Sequence, residues 1–178
     1  RETSAEIISV TEDGMTLVYT DSPLGVLGRI DITDPANPQP LGNIDLGGEP
    51  TAVSVIGSTA YVGVNTSESY TQPSGYLGAI DVATGEMLGQ CELGGQPDST
   101  AAAKDGSFVA VAIENERDED LGDGRVPQMP AGFVAMVDVA DGTFDCDTLR
   151  KADVTGLAEI APEDPEPEGP KDYKADDY

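Results

Sequence analysis

Two five-residue words, LGGEP at 46–50 and LGGQP at 93–97, stand 47 residues apart in this chain. A word that returns after 40–50 residues marks a structural unit, and everything between the two words must be one copy of it. Written on that interval, the chain divides into three comparable units near 5–50, 51–97 and 98–156. Each carries four short apolar runs in the same order. In the first they are EIISV (6–10), MTLVYT (15–20), VLGRIDI (26–32) and PLGNIDL (40–46). The second has TAVSVI (51–56), TAYVGVN (59–65), YLGAIDV (76–82) and MLGQCEL (87–93). The third has STAAA (99–103), FVAVAIE (108–114), GFVAMVDV (132–139) and TFDCDTL (143–149).

The runs are rich in Val, Ile, Thr and Tyr and are separated by turn signals, EDG (12–14), ATG (83–85), KDG (104–106) and ADG (140–142). Residues of that kind, bounded in that way, read as strands joined by tight turns. The pairs Ile30/Asp31, Ile80/Asp81 and Val137/Asp138 fall at the same place in each third strand. Four antiparallel strands per unit, repeated in tandem, predict an all-β chain of β-propeller blades. The competing arrangement is a sandwich of twelve short strands. Three four-stranded blades make an incomplete ring, because propellers close with four to eight. Residues 157–178, acidic and rich in proline, read as a tail or a linker to missing blades. Those blades are expected from another chain, from further sequence or from self-association.

The charge narrows the functions open to such a fold. Thirty-four acidic residues against nine basic ones leave a formal net charge of −25. A surface of that sign repels a phosphate backbone, which argues against nucleic acid as a partner. Histidine is absent, which removes histidine-based acid/base catalysis and Ser-His-Asp triads from the chain. No apolar run approaches the roughly 20 residues that cross a membrane, and RETSAEIISV lacks the basic start and apolar core of a signal peptide. If the protein is exported, Arg1 is already past the cleavage point. Cys91 and Cys146 are not in a CxxC spacing and leave two options, a structural bridge or two buried thiols. Both fall on fourth strands, the outermost of adjacent blades, where the separation has to meet a bridge's Cα spacing of roughly 4.4–6.8 Å.

In a propeller, the loops between second and third strands share a face with the connections between blades. These loops begin at Asp21, Asn65 and Glu114. Oxygen-bearing side chains at matching points of successive blades would meet on one rim, as a hard cation such as calcium requires. The third loop concentrates the signal: Glu114, Glu116, Asp118, Glu119, Asp120 and Asp123 place six carboxylates within ten residues. Like charges at that density repel unless a cation, a neighbouring arginine (Arg117 or Arg125) or solvent offsets them. The spacing lacks the downstream bidentate glutamate of an EF-hand. A second acidic cluster, EDPEPE (163–168), is held extended by its prolines.

Several segments together resemble a known family. TSAEII (3–8), LVYTDSPLG (17–25), GVNTSESYT (63–71), LGGQPDS (93–99), IENERDEDLGDGRVPQMPAGF (113–133) and DVTGLAEIAPEDPEPE (153–168) are similar to the phytase-like, "esterase-like activity of phytase" β-propellers of bacteria, often labelled alkaline phosphatase-like. The resemblance covers about residues 3–168, the N-terminal portion of much longer proteins. It implies a secreted, periplasmic or cell-surface protein and part of a calcium-dependent phosphoric-ester hydrolase. Glu114, Glu116, Asp118, Asp120 and Asp123 would then hold calcium with Asp21 and Asn65 at the rim, while Arg117 or Arg125 would clamp the phosphate of the substrate. Both cysteines lie within residues 3–168 that the resemblance covers, which favours a bridge. The alternative function is a non-catalytic extracellular propeller, a platform for protein partners or for surface assembly.

Overall fold

The computed structural model describes residues 3–116, 118, 130–140 and 143–154. Among them, the first sheet contains β1 (Ile8–Val10), β2 (Thr16–Asp21), β3 (Val26–Asp31) and β4 (Gln39–Asp45). The second contains β5 (Glu49–Ile56), β6 (Thr59–Asn65), β7 (Gly75–Asp81) and β8 (Met87–Glu92). The third contains β9 (Pro97–Ala102), β10 (Phe108–Ile113), β11 (Phe133–Ala140) and β12 (Thr143–Asp153). Every sheet is an antiparallel meander in sequence order, and no described strand crosses from one sheet to another. The arrangement is that of three propeller blades in an incomplete ring. First strands pack on first strands, β5 against both β1 and β9, while the last strands β8 and β12 meet at the other edge.

Alternation of side chains explains why the blades stack. In β6, Ala60, Val62 and Val64 join Val18 and Leu27 of the first sheet in one buried cluster. Tyr61, between them in sequence, points the other way with Leu77 and Ala79 and joins Val109, Val111, Ala135 and Val137 of the third sheet. Successive residues of a strand face opposite sides, so one strand feeds two cores. The middle blade is therefore buried on both faces, and β6 and β7 read as nearly continuous apolar runs. Tyr76 adds a polar tie, its phenol donating to the Leu46 carbonyl across the sheet boundary. Arg29 adds another, its Nη1 donating to the Val82 and Ala83 carbonyls at 2.8 and 3.0 Å.

The repeated words have local causes. In LGGQP, Leu93 and Pro97 are buried, Gly94 takes a φ of +69°, and a Cβ on Gly95 would stand 2.5 Å from Ile113 Cγ2. Only glycine meets both demands where the chain leaves an outer strand and starts the next inner one. LGGEP does the same, with Gly47 at +67° and the Asn65 carbonyl 2.7 Å from a Cβ on Gly48. The Ile-Asp pairs mark a second repeated feature, a register shift between third and fourth strands at Arg29/Ile30, Ala79/Ile80 and Met136/Asp138. A bulge there bends the outer strand and its turn follows. Asp31 and Asp81 then cap their turns, accepting from the Thr33 and Thr84 amides at 2.8 and 2.7 Å.

The two options for the cysteines resolve as a bridge. Cys91 of β8 and Cys146 of β12 are disulfide-bonded with their Cα atoms 5.3 Å apart, inside the range a bridge needs. The outer edges of these two blades approach because the Tyr61 and Phe144 rings pack at 5.6 Å and Gly89 leaves the space beside Phe144.

Candidate functional site

The connections between blades and the loops between second and third strands lie on one face, as hydrogen bonds between them show. The Leu46 amide donates to Gly25 and the Leu93 amide to Gly75, at 3.1 and 2.9 Å. At the third blade, the Glu114 amide donates to the Gln96 carbonyl at 3.1 Å. Both residues that follow the paired glycines, Glu49 and Gln96, are thereby brought to this face at the start of an innermost strand.

Each holds a partner. Asn65 Nδ2 donates to Glu49 Oε2 at 3.1 Å, while Asn65 Oδ1 accepts from the Ser67 amide at 2.9 Å. Gln96 Nε2 donates to Glu116 Oε2 at 3.3 Å, and the Glu116 amide donates to Gln96 Oε1 at 3.1 Å. Asn115 completes the set with a φ of +50°. Its Oδ1 accepts from the Gln96 amide at 2.9 Å and its Nδ2 donates to the Ala131 carbonyl at 3.0 Å. An asparagine tolerates this left-handed backbone better than most residues. Glu49, Asn65, Gln96 and Glu116, with Glu68, Ser69 and the half-exposed Tyr70, line a cleft of about 310 Å³ between the second and third blades, and Asn115 holds Gln96 from behind it.

Of the residues expected around a cation, Asn65 and Glu116 both line this cleft. Asp21 lies outside its lining. Asp21 is buried at the end of β2, accepting from Thr3 Oγ1 at 2.5 Å and from the Leu24 amide at 3.2 Å. The Thr3 hydrogen bond, helped by the Ser4 and Leu24 amides, holds its carboxyl below the ordinary value against the opposing effect of burial. Strand parity explains the separation. Asp21 pairs with Val26 and faces away from the second blade, whereas Asn65 shares the parity of Tyr61 and faces the third. Arg117, Asp120, Asp123 and Arg125 lie outside the described residues; Asp118 and Glu114 are described, and the Glu114 backbone is tied to Gln96.

Glu49, Glu68 and Gln96 belong to the site, and Asn115 supports it through the Gln96 amide, but no motif singles them out. The available signal was the one variable letter in LGG-x-P, polar in both copies beside four invariant neighbours. Among the described residues, no three carboxylates are grouped closely enough to hold one metal ion. A larger groove of about 430 Å³, lined by Thr11, Asp13, Gly57 and Val82 among others, lies by the hairpin turns at the opposite end of the blades. Its Asp13 is already engaged by Thr11 Oγ1 at 2.6 Å and the Met15 amide at 3.0 Å.

Sheet order, blade stacking and a rim cleft define the class, a β-propeller represented here by three blades. The chain belongs to the choice-of-anchor I domain family, whose sequence model matches residues 6–163. No curated protein sequence matches it. Among solved structures it is similar to the hydrazine synthase of Kuenenia stuttgartiensis, with a TM-score of 0.61 and 18% identity over 84% of this chain and 37% of that one. It is similar also to a protein described as a candidate 6-phosphogluconolactonase from Bacteroides uniformis, with a TM-score of 0.57 and 13% identity over 84% of this chain and 40% of that one. A protein of unknown function from Desulfotomaculum acetoxidans matches with a TM-score of 0.55 and 11% identity over 80% of this chain and 39% of that one. At these identities the likeness is one of fold, and the chain spans 37–40% of the length of these structures. These likenesses support the propeller and do not confirm the finer, phytase-like resemblance. Among the described residues, no helix is long and apolar enough to cross a membrane.

Proposed function

We propose that this chain is the rim-bearing part of an exported, surface-associated propeller that binds a basic protein partner without turning it over. The observation that carries the reading is the rim cleft, where the Glu49 and Glu116 carboxylates are each held in place by an amide, Asn65 or Gln96. Glu68 adds a third carboxylate and Tyr70, 47% exposed, an aromatic surface. Carboxylates beside an aromatic ring suit the ammonium or guanidinium of a lysine or arginine side chain. The net charge of −25 would speed the approach of a basic partner in a salt-dependent way. Membership of an anchor-domain family and the Cys91–Cys146 bridge support a place outside the reducing cytosol.

A second reading, the calcium-dependent phosphoric-ester hydrolase, is favoured by one observation: Glu116 arrives in the cleft from the long acidic loop. The described residues, Asp118 included, form no group that fits a calcium ion, so the carboxylates of Asp120 and Asp123 would have to complete its coordination, and no catalytic step is derived through the metal. One experiment separates the two. A lysine-rich peptide titrated into the protein should bind with an affinity that falls as salt rises and that drops at least tenfold in the double variant Glu49→Gln/Glu116→Gln. Turnover of p-nitrophenyl phosphate that appears only with added calcium would instead establish the hydrolase.

A further inference from the structure

The register shift between third and fourth strands differs in size among the three sheets. In the first two, a single residue is extra at the shift, Leu41 or Leu88. In the third, the four residues 146–149 stand opposite Val137 alone, between the pairs Asp138/Asp145 and Met136/Arg150. An insertion of that size loops out of the ladder. Its own hydrogen bonds are local. Thr148 Oγ1 accepts from the Asp138 amide at 2.9 Å and donates to the Asp145 carbonyl at 2.6 Å, and the Asp147 amide donates to Asp145 Oδ1 at 3.0 Å. Leu149 then returns the chain to the core shared with the second blade. Cys146 lies in this loop, and its bond to Cys91 straps the loop to the second blade.

The two half-cystines do not face water equally. Cys91 is 2% exposed, whereas Cys146 is an exposed residue. A thiolate in solution therefore reaches the bridge from the Cys146 side, and exposed bridges are the ones that open most readily. Opening it leaves the other ties between the two blades in place. Tyr61 and Leu77 share a core with Val109 and Val137. Thr51 Oγ1 donates to the Pro97 carbonyl at 2.9 Å, and the Ser54 and Thr100 hydroxyls meet at 2.9 Å. Those hydrogen bonds join the inner strands β5 and β9, while the bridge joins the outer strands β8 and β12. We propose that the bridge is a redox-operated clasp, which an external dithiol opens at Cys146 to release the 146–149 loop from the second blade while both blades stay folded. One thiolate of the dithiol attacks the Cys146 sulfur, the bond between the cysteines breaks, and Cys91 leaves as a thiolate that takes up a proton. The second thiol then closes on the first sulfur of the reductant and displaces Cys146, which leaves as a thiol. The dithiol ends as a disulfide, and its two electrons and two protons are on the cysteines. Cys91 stands just before the LGGQP connection, so the freed edge is the one that leads to Gln96. The proposal does not rest on the ligand assigned to the rim cleft.

Two measurements on the oxidised protein test it. Cysteamine, a monothiol, added without denaturant and followed at once by iodoacetamide, should leave its mixed disulfide on Cys146 and the alkyl group on Cys91, as located by peptide mass. Reduction with dithiothreitol should leave the far-UV circular dichroism unchanged. In that reduced protein the Asp138 and Asp147 amides should exchange about tenfold faster or more, while those of β6 and β10 keep their protection. Cys91→Ser/Cys146→Ser should show the fast pattern without reductant and should not respond to dithiothreitol. A cysteamine adduct on Cys91, a bridge that reacts only in denaturant, a reduced chain that unfolds, or unchanged exchange at Asp138 and Asp147 would each overturn the proposal.

Discussion

Cys91 of the second blade and Cys146 of the third are covalently joined across 55 residues of sequence, at a Cα separation of 5.3 Å. The bond ties two outer strands whose inner neighbours already share a core. For a closed loop of that size the chain-entropy account gives about 4 kcal/mol, with strain able to reduce it. Cys91→Ser/Cys146→Ser should lower stability by roughly 2–4 kcal/mol, read as a fall in urea midpoint against the oxidised parent. Equal midpoints with and without reductant would show that the bridge adds nothing.

Two glycines, Gly95 of the repeated word and Gly89 of β8, can be ranked by what surrounds them. Gly95→Ala should cost about 1–3 kcal/mol, since its Cβ would stand 2.5 Å from Ile113 Cγ2 and 2.8 Å from Asn115 Oδ1. Gly89→Ala meets only Phe144 Cδ1 at 3.4 Å, an ordinary contact, and should stay within about 0.5 kcal/mol. Thermal melts of the two variants side by side check the order.

Tyr76→Phe removes the donor that satisfies the Leu46 carbonyl between the first two blades. Burial pushes the Tyr76 phenol up, with Asp45 and Glu92 adding to it, so the hydroxyl stays protonated and able to donate at neutral pH. An orphaned buried carbonyl should cost about 1–3 kcal/mol. Chemical denaturation at neutral pH measures it.

Asp21 predicts an acid-sensitive attachment of the N-terminal segment. Its folded pKa lies below the ordinary 3.8, so its stabilisation is complete above that value and is lost as pH falls through the folded pKa. The stability difference between the parent and Asp21→Asn should be level from about pH 7 to pH 5 and shrink on further acidification. A difference that grew toward acid would contradict the assignment. Amide exchange at Glu6 and Ile7, whose amides donate to Thr20, should quicken in the variant.

Strand order and blade pattern were legible in the residues because their causes are local. TAYVGVN spans β6 from end to end, and the predicted strands elsewhere differ from the observed ones by a few terminal residues. Alternating apolar residues, β-branched side chains and glycine-bearing turns act within a few positions of themselves, and the repeat averages out errors in any one unit. The rim was only partly legible. Asn65 and Glu116 stand on loops that the sequence marks, one by its position and the other by its acidity, whereas Asp21 matches Asn65 only by counting along the chain, and a one-residue difference in parity turns it to the other face.

What the sequence by itself determined is the repeated four-strand unit, its turns, the acidity of the molecule and the oxygen-rich character of the loops. Tertiary structure decided which neighbours those pieces meet. It paired Cys91 with Cys146, gave β6 two different cores through Val62 and Tyr61, and set Glu49 beside Asn65 and Gln96 beside Glu116. The reason is distance along the chain: a turn or a strand follows from interactions a few residues long. A cleft between blades depends instead on how whole sheets stack, which packing of both faces settles at once.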